Sequence, residues 1–299
     1  MTAPAAPGSP EGLLLIDKPA GITSHDVVDR IRRALGTRKV GHGGTLDPMA
    51  TGLLLVGVGR ATRLLRFLGS LPKTYRGTIR LGVETTTLDA EGEVTREGPV
   101  SVGSDQVRAA MALLVGSSMQ RPPAYAAVKV GGRKLYEAAR AGRPLEAPER
   151  PITVQAFDLV SLEGPDAEVE VTCSGGTYVR VLAADVGALL GCGAHLRRLR
   201  RTRIGHFDVA EATSPDDPGP PRSLDEAVSH LPRVVLDEEE SVAAGHGRVL
   251  GPAGIEGPYT VVDGRGRLIG IYADAGALAR PEMILAPTHL PTVGGGGVG

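Results

Sequence analysis

The sequence predicts an α+β protein on a mixed sheet, followed by a small β-rich unit. Three observations predict it. Apolar runs of strand period are interleaved with stretches of helical period, but without the regular beat of βαβ units. Four prolines within Ser214–Pro221 interrupt the chain, and the texture changes beyond them. With 41% hydrophobic and 22% charged residues, the chain can bury a sizeable core, which excludes wholesale disorder.

The elements follow in order. Gly12–Asp17 reads as a buried strand that ends in the loop Lys18-Pro19-Ala20-Gly21. Thr23 with Asp26 is a capping box. Val27, Val28, Ile31 and Leu35 then share one helical face, and Gly36 stops the helix. A glycine-rich loop, Gly41 to Pro48, precedes a strand from Leu53 to Val56 and a basic helix near Arg60 to Leu68. Tyr75–Leu81 alternates as a strand, Ser104–Val115 reads as a helix, and residues 120–149 read as a long loop. Glu168–Cys173 alternates and runs on into Ser174–Arg180. If that segment stays extended, Tyr178 and Arg180 share a face. A helix over Leu182–Leu190 ends at Gly191.

Beyond the prolines, Asp237 caps a short helix, and Tyr259–Val262 with Arg267–Tyr272 form a hairpin about Asp263-Gly264-Arg265-Gly266. Met283–Leu285 is a last strand. The domain boundaries predicted are 11–213, a linker or variable loop at 214–232, and 233–290, with flexible tails at 1–10 and 292–299.

Cys173 and Cys192 have neither CxxC nor Cys/His spacing, so they read as small buried residues of a reducing compartment. No apolar run approaches a membrane span, and residues 1–10 lack the features of a signal peptide, so the expected location is cytoplasmic. The net charge is −1, yet Asp17 to Glu84 holds twelve basic against five acidic residues. Arg197, Arg198, Arg200, Arg201 and Arg203 form a second basic stretch. Two such stretches could present a phosphate-binding face or be solvated surfaces, and charge alone does not decide.

Gly41, Gly43 and Gly44 let a backbone approach a ligand closely. Asp47 precedes Pro48, which holds it extended and removes the next amide donor. A carboxylate fixed in that way suits a nucleophile or general base; on spacing alone, an Asp that stabilises a turn fits as well. His42 is open to the same double reading, catalytic or loop hydrogen-bonder. GxxxxGK[ST], HExxH and a GxGxxG following a strand are all absent, leaving nucleotide hydrolysis, zincin chemistry and dinucleotide binding without support.

The run Gly41-His42-Gly43-Gly44-Thr45-Leu46-Asp47-Pro48-Met49-Ala50-Thr51-Gly52-Leu53-Leu54 resembles the signature of TruB-type bacterial tRNA pseudouridine-55 synthases. Four further stretches resemble that family in the same order: Leu15–Pro19 with Gly21–Ser24; Lys73–Arg76 with Leu81-Gly82 and Thr87–Gly92; Pro122–Lys129 with Lys134–Tyr136; and Cys173–Arg180 with Gly191–Leu196 and Leu199–Arg201.

The resemblance implies a pseudouridine-synthase fold, with a mostly antiparallel sheet flanked by helices and a C-terminal PUA-like β-barrel that binds RNA. It implies isomerisation of uridine in the T-loop of tRNA by base flipping, with an RNA-clasping loop at about 120–149. Asp47 takes the place of the essential aspartate, acting on base, sugar or a ribose proton. Tyr75 matches the tyrosine that stacks on the base; His42, Tyr178 and Leu199 match residues of the uridine pocket. Arg180 matches the aspartate's partner, and Lys18 a supporting lysine.

Neither cofactor nor metal is implied, the partner is the tRNA T-arm, and no membrane or obligatory protein partner is implied. Gly175 stands where relatives often carry lysine or arginine, and Met49 where leucine is common. Two other readings are a tRNA-folding helper whose binding outweighs its catalysis, and a guide-RNA-dependent relative, for which the expected basic tails are absent.

Overall fold

The structure, a computed structural model, describes residues 10–126, 129–131, 133–135, 145 and 147–285. The tails expected at 292–299 and, apart from Pro10, at 1–10 lie outside the described residues, as does part of the loop expected at 120–149. Contacts divide the chain into two units. The larger comprises residues 14–56 and 65–220; the smaller comprises 57–64 and 221 onward, together with the residues before Leu14.

In the larger unit, β1 (Gly12–Lys18) leads to the helix Ser24–Leu35. That helix begins and ends where the side chains dictate. The Thr23 hydroxyl accepts the Asp26 amide while the Asp26 carboxylate accepts the Thr23 amide, and Gly36 closes the other end at φ 62°. Then come β2 (Val40–Gly43), β3 (Thr51–Val58), a 3-10 turn over Gly59–Arg63 that belongs with the end of β3 to the smaller unit, and one helical turn, Leu65–Leu68. The single basic helix expected at 60–68 is thus two short pieces.

Next are β4 (Lys73–Leu81), β5 (Val83–Thr85), β6 (Val94–Glu97), the helix Ser104–Ala112, β7 (Gly116–Gln120) and the short pair β8 (Lys129–Val130) and β9 (Arg133–Lys134). The long hairpin β10 (Arg150–Glu163) and β11 (Asp166–Cys173) precedes the helix Val179–Leu190, β12 (Ala194–Ile204) and β13 (Phe207–Asp208).

The main sheet has the order β1-β3-β12-β4-β11-β10-β7, with β2 on β3 and β13 on β12. β12 runs parallel to β3, whereas the β12–β4, β4–β11, β11–β10 and β10–β7 pairs are antiparallel. This is the mixed, mostly antiparallel sheet expected. Val107 and Met111 of one helix, and Leu182, Ala183 and Val186 of the other, share a core with Ile79, Val154, Val169, Val171 and Leu196 of the sheet. Burial of such side chains, about 1.5–3 kcal/mol each, holds the layers together.

The two longest strands are invisible to periodicity. β10 carries bulges at Val154/Ala156 and Leu159/Ser161, which break its alternation. β12 is the arginine-rich stretch, bulged at Leu196/Arg198 and Arg201/Arg203. The segment Ser174–Arg180 does not stay extended to its end. Tyr178 is extended (φ −96°, ψ 107°), but it is the residue that precedes the helix, and Arg180 already lies in the first turn. The two side chains therefore do not alternate along a strand.

In the smaller unit, Ser223 caps the helix Leu224–Ala227. β14 (Arg233–Val235), the helix Glu238–Gly245 capped by Asp237, β15 (Pro258–Val262), β16 (Leu268–Ala275) and β17 (Leu278–Ile284) follow. Its four-stranded sheet has the order β14-β15-β16-β17, and Tyr259, Val261, Ile269 and Tyr272 form its core. The expected hairpin turn is present, with the Asp263 carboxylate accepting the amides of Arg265 and Arg267.

Candidate active site

A cavity of about 300 Å³ opens in the larger unit, lined among others by Asp47, Lys73, Tyr75, Arg150, Tyr178, Arg180, Leu199 and Arg201. Asp47 is the single carboxylate among its lining residues. Five of the seven side chains singled out from the sequence meet here, drawn from a loop, two strands and the start of a helix.

The loop that carries Asp47 is pinned on both sides. The Ser24 hydroxyl accepts the Leu46 amide at 2.9 Å and donates to the Leu46 carbonyl at 3.2 Å. The Asp47 carbonyl accepts the Ala50 amide, and the Pro48 carbonyl accepts the Gly21 amide. Lys18 is fully buried, and its ammonium donates to the carbonyls of Pro19, Ile22 and Pro48 at 3.0, 2.7 and 3.2 Å. Lys18 thus fastens two loops behind Asp47. Burial lowers its amine to a pKa of about 8, against the pull of the nearby Asp47.

The Asp47 side chain meets Arg180, with Nη2 3.3 Å from Oδ2. Arg180 is itself buried, and its Nη1 is 3.1 Å from Oδ2 of the equally buried Asp89. Nη2 also donates to the Tyr125 carbonyl. Asp89 is held in turn: its Oδ1 accepts the Thr87 hydroxyl at 2.5 Å and the Glu91 amide at 3.1 Å. The turn that presents it contains Leu88 at φ 63°, the one non-glycine residue in the left-handed region among the described residues. Such a conformation costs of order 1–3 kcal/mol and persists only where surroundings impose it; here the Leu88 carbonyl accepts the Leu196 amide.

Burial pushes the Asp47 carboxyl above the ordinary carboxylate range and Asp89 adds to that, while Arg180 and Lys18 pull it back. Arg180 therefore opposes the upward shift without cancelling it.

Tyr75 is buried in β4, with Val171 and Arg201 as its ladder partners. Arg201 is also buried; it donates to the carbonyls of Leu53 and Gly44 at 2.7 and 2.9 Å, and its guanidinium carbon is 6.0 Å from the centre of the Tyr75 ring. The sequence grouped Arg201 with a basic stretch; in the structure it braces the cavity wall. The bulge at Arg197 shifts the phase of β12, so that Leu196 and Leu199, three residues apart, both line the cavity.

Tyr178 is fixed by its backbone: the buried Gln120 side chain accepts its amide at 2.8 Å and donates to its carbonyl at 3.2 Å. Arg150 stacks on the Tyr178 ring at 4.6 Å and donates to the Gly176 carbonyl. A Cβ at Gly175 would lie 2.2 Å from the Gly69 carbonyl and 3.0 Å from the Lys73 ammonium. The departure from lysine or arginine at 175 thus goes with a close backbone approach that only glycine allows.

His42 lies on β2, outside the cavity-lining residues, with Nδ1 buried and unpartnered among the described residues. Burial lowers its pKa, helped by His25 and Arg201. Lys18 likewise stands behind the cavity. The sequence reading gave no role to Asp89, Gln120, Arg150 or Lys73. Asp89 lies within the motif Thr87–Gly92, but only the fold shows which cation it holds.

The description "TruB family pseudouridylate synthase (N terminal domain)" matches residues 32–179. The TruB C-terminal domain descriptions match 180–217 and 231–286. The tRNA pseudouridine synthase B of Mycobacterium ulcerans (strain Agy99) is 44% identical over 296 residues, covering 96% of this chain and 98% of that protein. The chain belongs to the TruB family of pseudouridylate synthases.

The tRNA pseudouridine synthase B of Mycobacterium bovis (strain BCG / Pasteur 1173P2) is 46% identical over 289 residues, covering 93% of this TruB-family chain and 97% of the relative. Among solved structures, a Cbf5-Nop10-Gar1 complex provides a chain similar at TM-score 0.73 and 27% identity, over 93% of this chain and 85% of that one. A chain of an H/ACA RNP bound to a substrate RNA containing 2'-deoxyuridine is similar at TM-score 0.70 and 25% identity, over 93% and 86%.

Proposed function

We propose that this TruB-family chain isomerises uridine to pseudouridine in the T-loop of tRNA, at position 55. The observation that carries the reading is Asp47: the one carboxylate lining a cavity whose walls include Tyr75, Tyr178, Leu199 and three arginines. The reaction breaks the N1–C1′ bond, turns the uracil and forms C5–C1′; C5 loses a proton and N1 gains one. Attack on the sugar, attack on the base and removal of a ribose proton all need the same ionised, aimed carboxylate. The cavity is too small for a stacked helix, so the nucleotide enters extruded, between aromatic and apolar walls.

On this reading Asp47 is catalytic, Tyr75, Tyr178 and Leu199 hold the base, and Arg180 and Lys18 keep the carboxylate placed. His42 supports the loop from behind. The C-terminal unit serves as a PUA-like RNA-binding module, the protein works in the cytoplasm, and no protein partner is required.

The test is tritium release from a T-arm stem-loop carrying 5-tritiated uridine, with the full chain and Asp47→Asn. Release by the wild type alone is expected. Equal release by both proteins, or none by the wild type with binding intact, would overturn the assignment and favour an RNA-folding role.

A further inference from the structure

The arginine-rich stretch 197–203 is the obvious anion-binding face in the sequence, and the structure largely neutralises it. Arg197 pairs with Asp166, Arg198 with Glu168, Arg200 with Asp17 and Arg203 with Asp208, while Arg201 is buried on backbone carbonyls. Arg30, Arg76 and Arg80 are similarly matched by Asp216, Glu170 and Asp166. Lys18 and Lys73 are buried.

Unmatched charge collects elsewhere, at the end of the helix Ser24–Leu35. Arg33, Arg38 and Lys39 are exposed and have no carboxylate partner among the described residues. With Arg32, Gly36 and Thr37 the two arginines rim a shallow concavity of about 400 Å³. Asp29, the acid at its edge, is already engaged by Arg32 at 2.9 Å.

Helix capping does not account for this cluster. The last turn is closed by Gly36 and by the Thr37 amide on the Arg32 carbonyl, and the Arg33 Nε donates to the Asp29 carbonyl. Arg38 and Lys39 lie past the cap and make no side-chain bond among the described residues. Clustered like charges repel one another, and an anion seated among them relieves that cost. Guanidinium groups in particular match phosphate oxygens in paired geometry. β2 begins just after Lys39 and leads toward the Asp47 loop, and the eight residue-to-residue steps from Lys39 to Asp47 span at most about 28 Å even when fully extended. One RNA can therefore reach both places.

We propose that Arg33, Arg38 and Lys39 form an anchoring surface for the ribose-phosphate backbone of the RNA whose uridine enters the Asp47 cavity. The inference rests on the proposed function for the identity of that RNA.

The test uses the full chain with R33Q/R38Q/K39Q and an unmodified tRNA transcript, reading affinity across a salt series and turnover at saturating RNA. Affinity near physiological salt should fall roughly tenfold or more, and the slope of log affinity against log salt should flatten by about 2 to 3. Turnover at saturation should stay within about twofold of wild type, because no altered residue lines the cavity. R33K/R38K keeps the charge and should keep the slope. If the triple variant unfolds, R38Q alone should flatten the slope by about 1.

Wild-type affinity and slope in the triple variant would overturn the proposal, and are also what a surface reserved for an acidic protein would give. A turnover loss without an affinity change would overturn it too. These readings are separable from the proposed function: an anchoring failure leaves wild-type tritium release intact, whereas a catalytic failure leaves the salt slope measurable.

Discussion

Arg180 holds Asp47 through Nη2 at 3.3 Å while its other terminal nitrogen is committed to Asp89 at 3.1 Å. The cation is thus anchored from behind by a carboxylate that does not line the cavity. Asp47 faces a guanidinium that does not have to be recruited when substrate arrives. Preorganisation of this kind removes a reorganisation cost from the reaction itself.

Asp47→Asn removes the charge and keeps the shape. Tritium release from the T-arm substrate should fall on the order of 10³-fold or more, with RNA affinity retained. A residual rate near wild type would take the chemistry away from this residue.

The pH profile should respond to the two neighbours with opposite signs. Catalysis needs the ionised carboxylate, so the rate falls as pH drops through the Asp47 pKa, which burial places above the usual carboxylate range. Arg180→Met removes a cation that lowers this pKa, so the acid limb should move up. Asp89→Asn removes an anion that raises it, so the limb should move down. Arg180→Lys, which keeps a cation, should move it least. Limbs that shift in the same direction in the first two variants would contradict the electrostatic account. Asp89→Asn should also cost about 3 kcal/mol in a urea titration, because it breaks a buried ion pair.

Gln120→Ala removes both hydrogen bonds that fix the Tyr178 backbone. The expected effect is about 1–3 kcal/mol of stability and a higher KM, with kcat less affected, since Tyr178 wall geometry loosens while Asp47 stays in place. A kcat loss with KM unchanged would place Gln120 in the chemistry instead.

Burial lowers the amines of Lys18 and Lys73 to about 8 from an ordinary value of 10.5. Between those values the unfolded chain binds more protons than the folded one, so these groups make stability rise with pH across that window. Below about pH 8 both states are protonated and the cost of burying the charge is constant. Lys73→Met should therefore lose part of the gain that the wild type shows between pH 7.5 and 10 in denaturant midpoints. Parallel curves for the two proteins would show that Lys73 titrates normally.

Much of the fold was legible because local signals coincide with tertiary ones. The Thr23/Asp26 box, Gly36, the alternation of Tyr75–Leu81 and the Asp263 turn each act over a few residues, and each stands where the pattern placed it. β10 and β12 were not legible because bulges break their period, and in β12 five arginines mask a strand whose inner positions face the cavity. The condition under which Tyr178 and Arg180 share a strand face, an extended chain through Arg180, is not met because a helix begins between them. Of the seven side chains singled out, five line one cavity, which short spacing does not show; His42 and Lys18 are not among its lining residues, Arg150 is, and Asp89 and Gln120 hold Arg180 and Tyr178 without lining it.

By itself, then, the sequence determined the α+β class, the capped first helix, the loop that offers Asp47 and the likeness to a family. Those properties are written in residue type and short spacing. Only the tertiary structure decided which cation meets Asp47 and which arginines are paired with a carboxylate among the described residues. Each of those pairings joins residues many positions apart, as Arg180 does with Asp47 and Asp89, or Arg200 with Asp17. Charge counts along a chain do not record distance in space, and burial, which moves the pKa of Asp47 and of both lysines, exists only once the sheet and helices have packed.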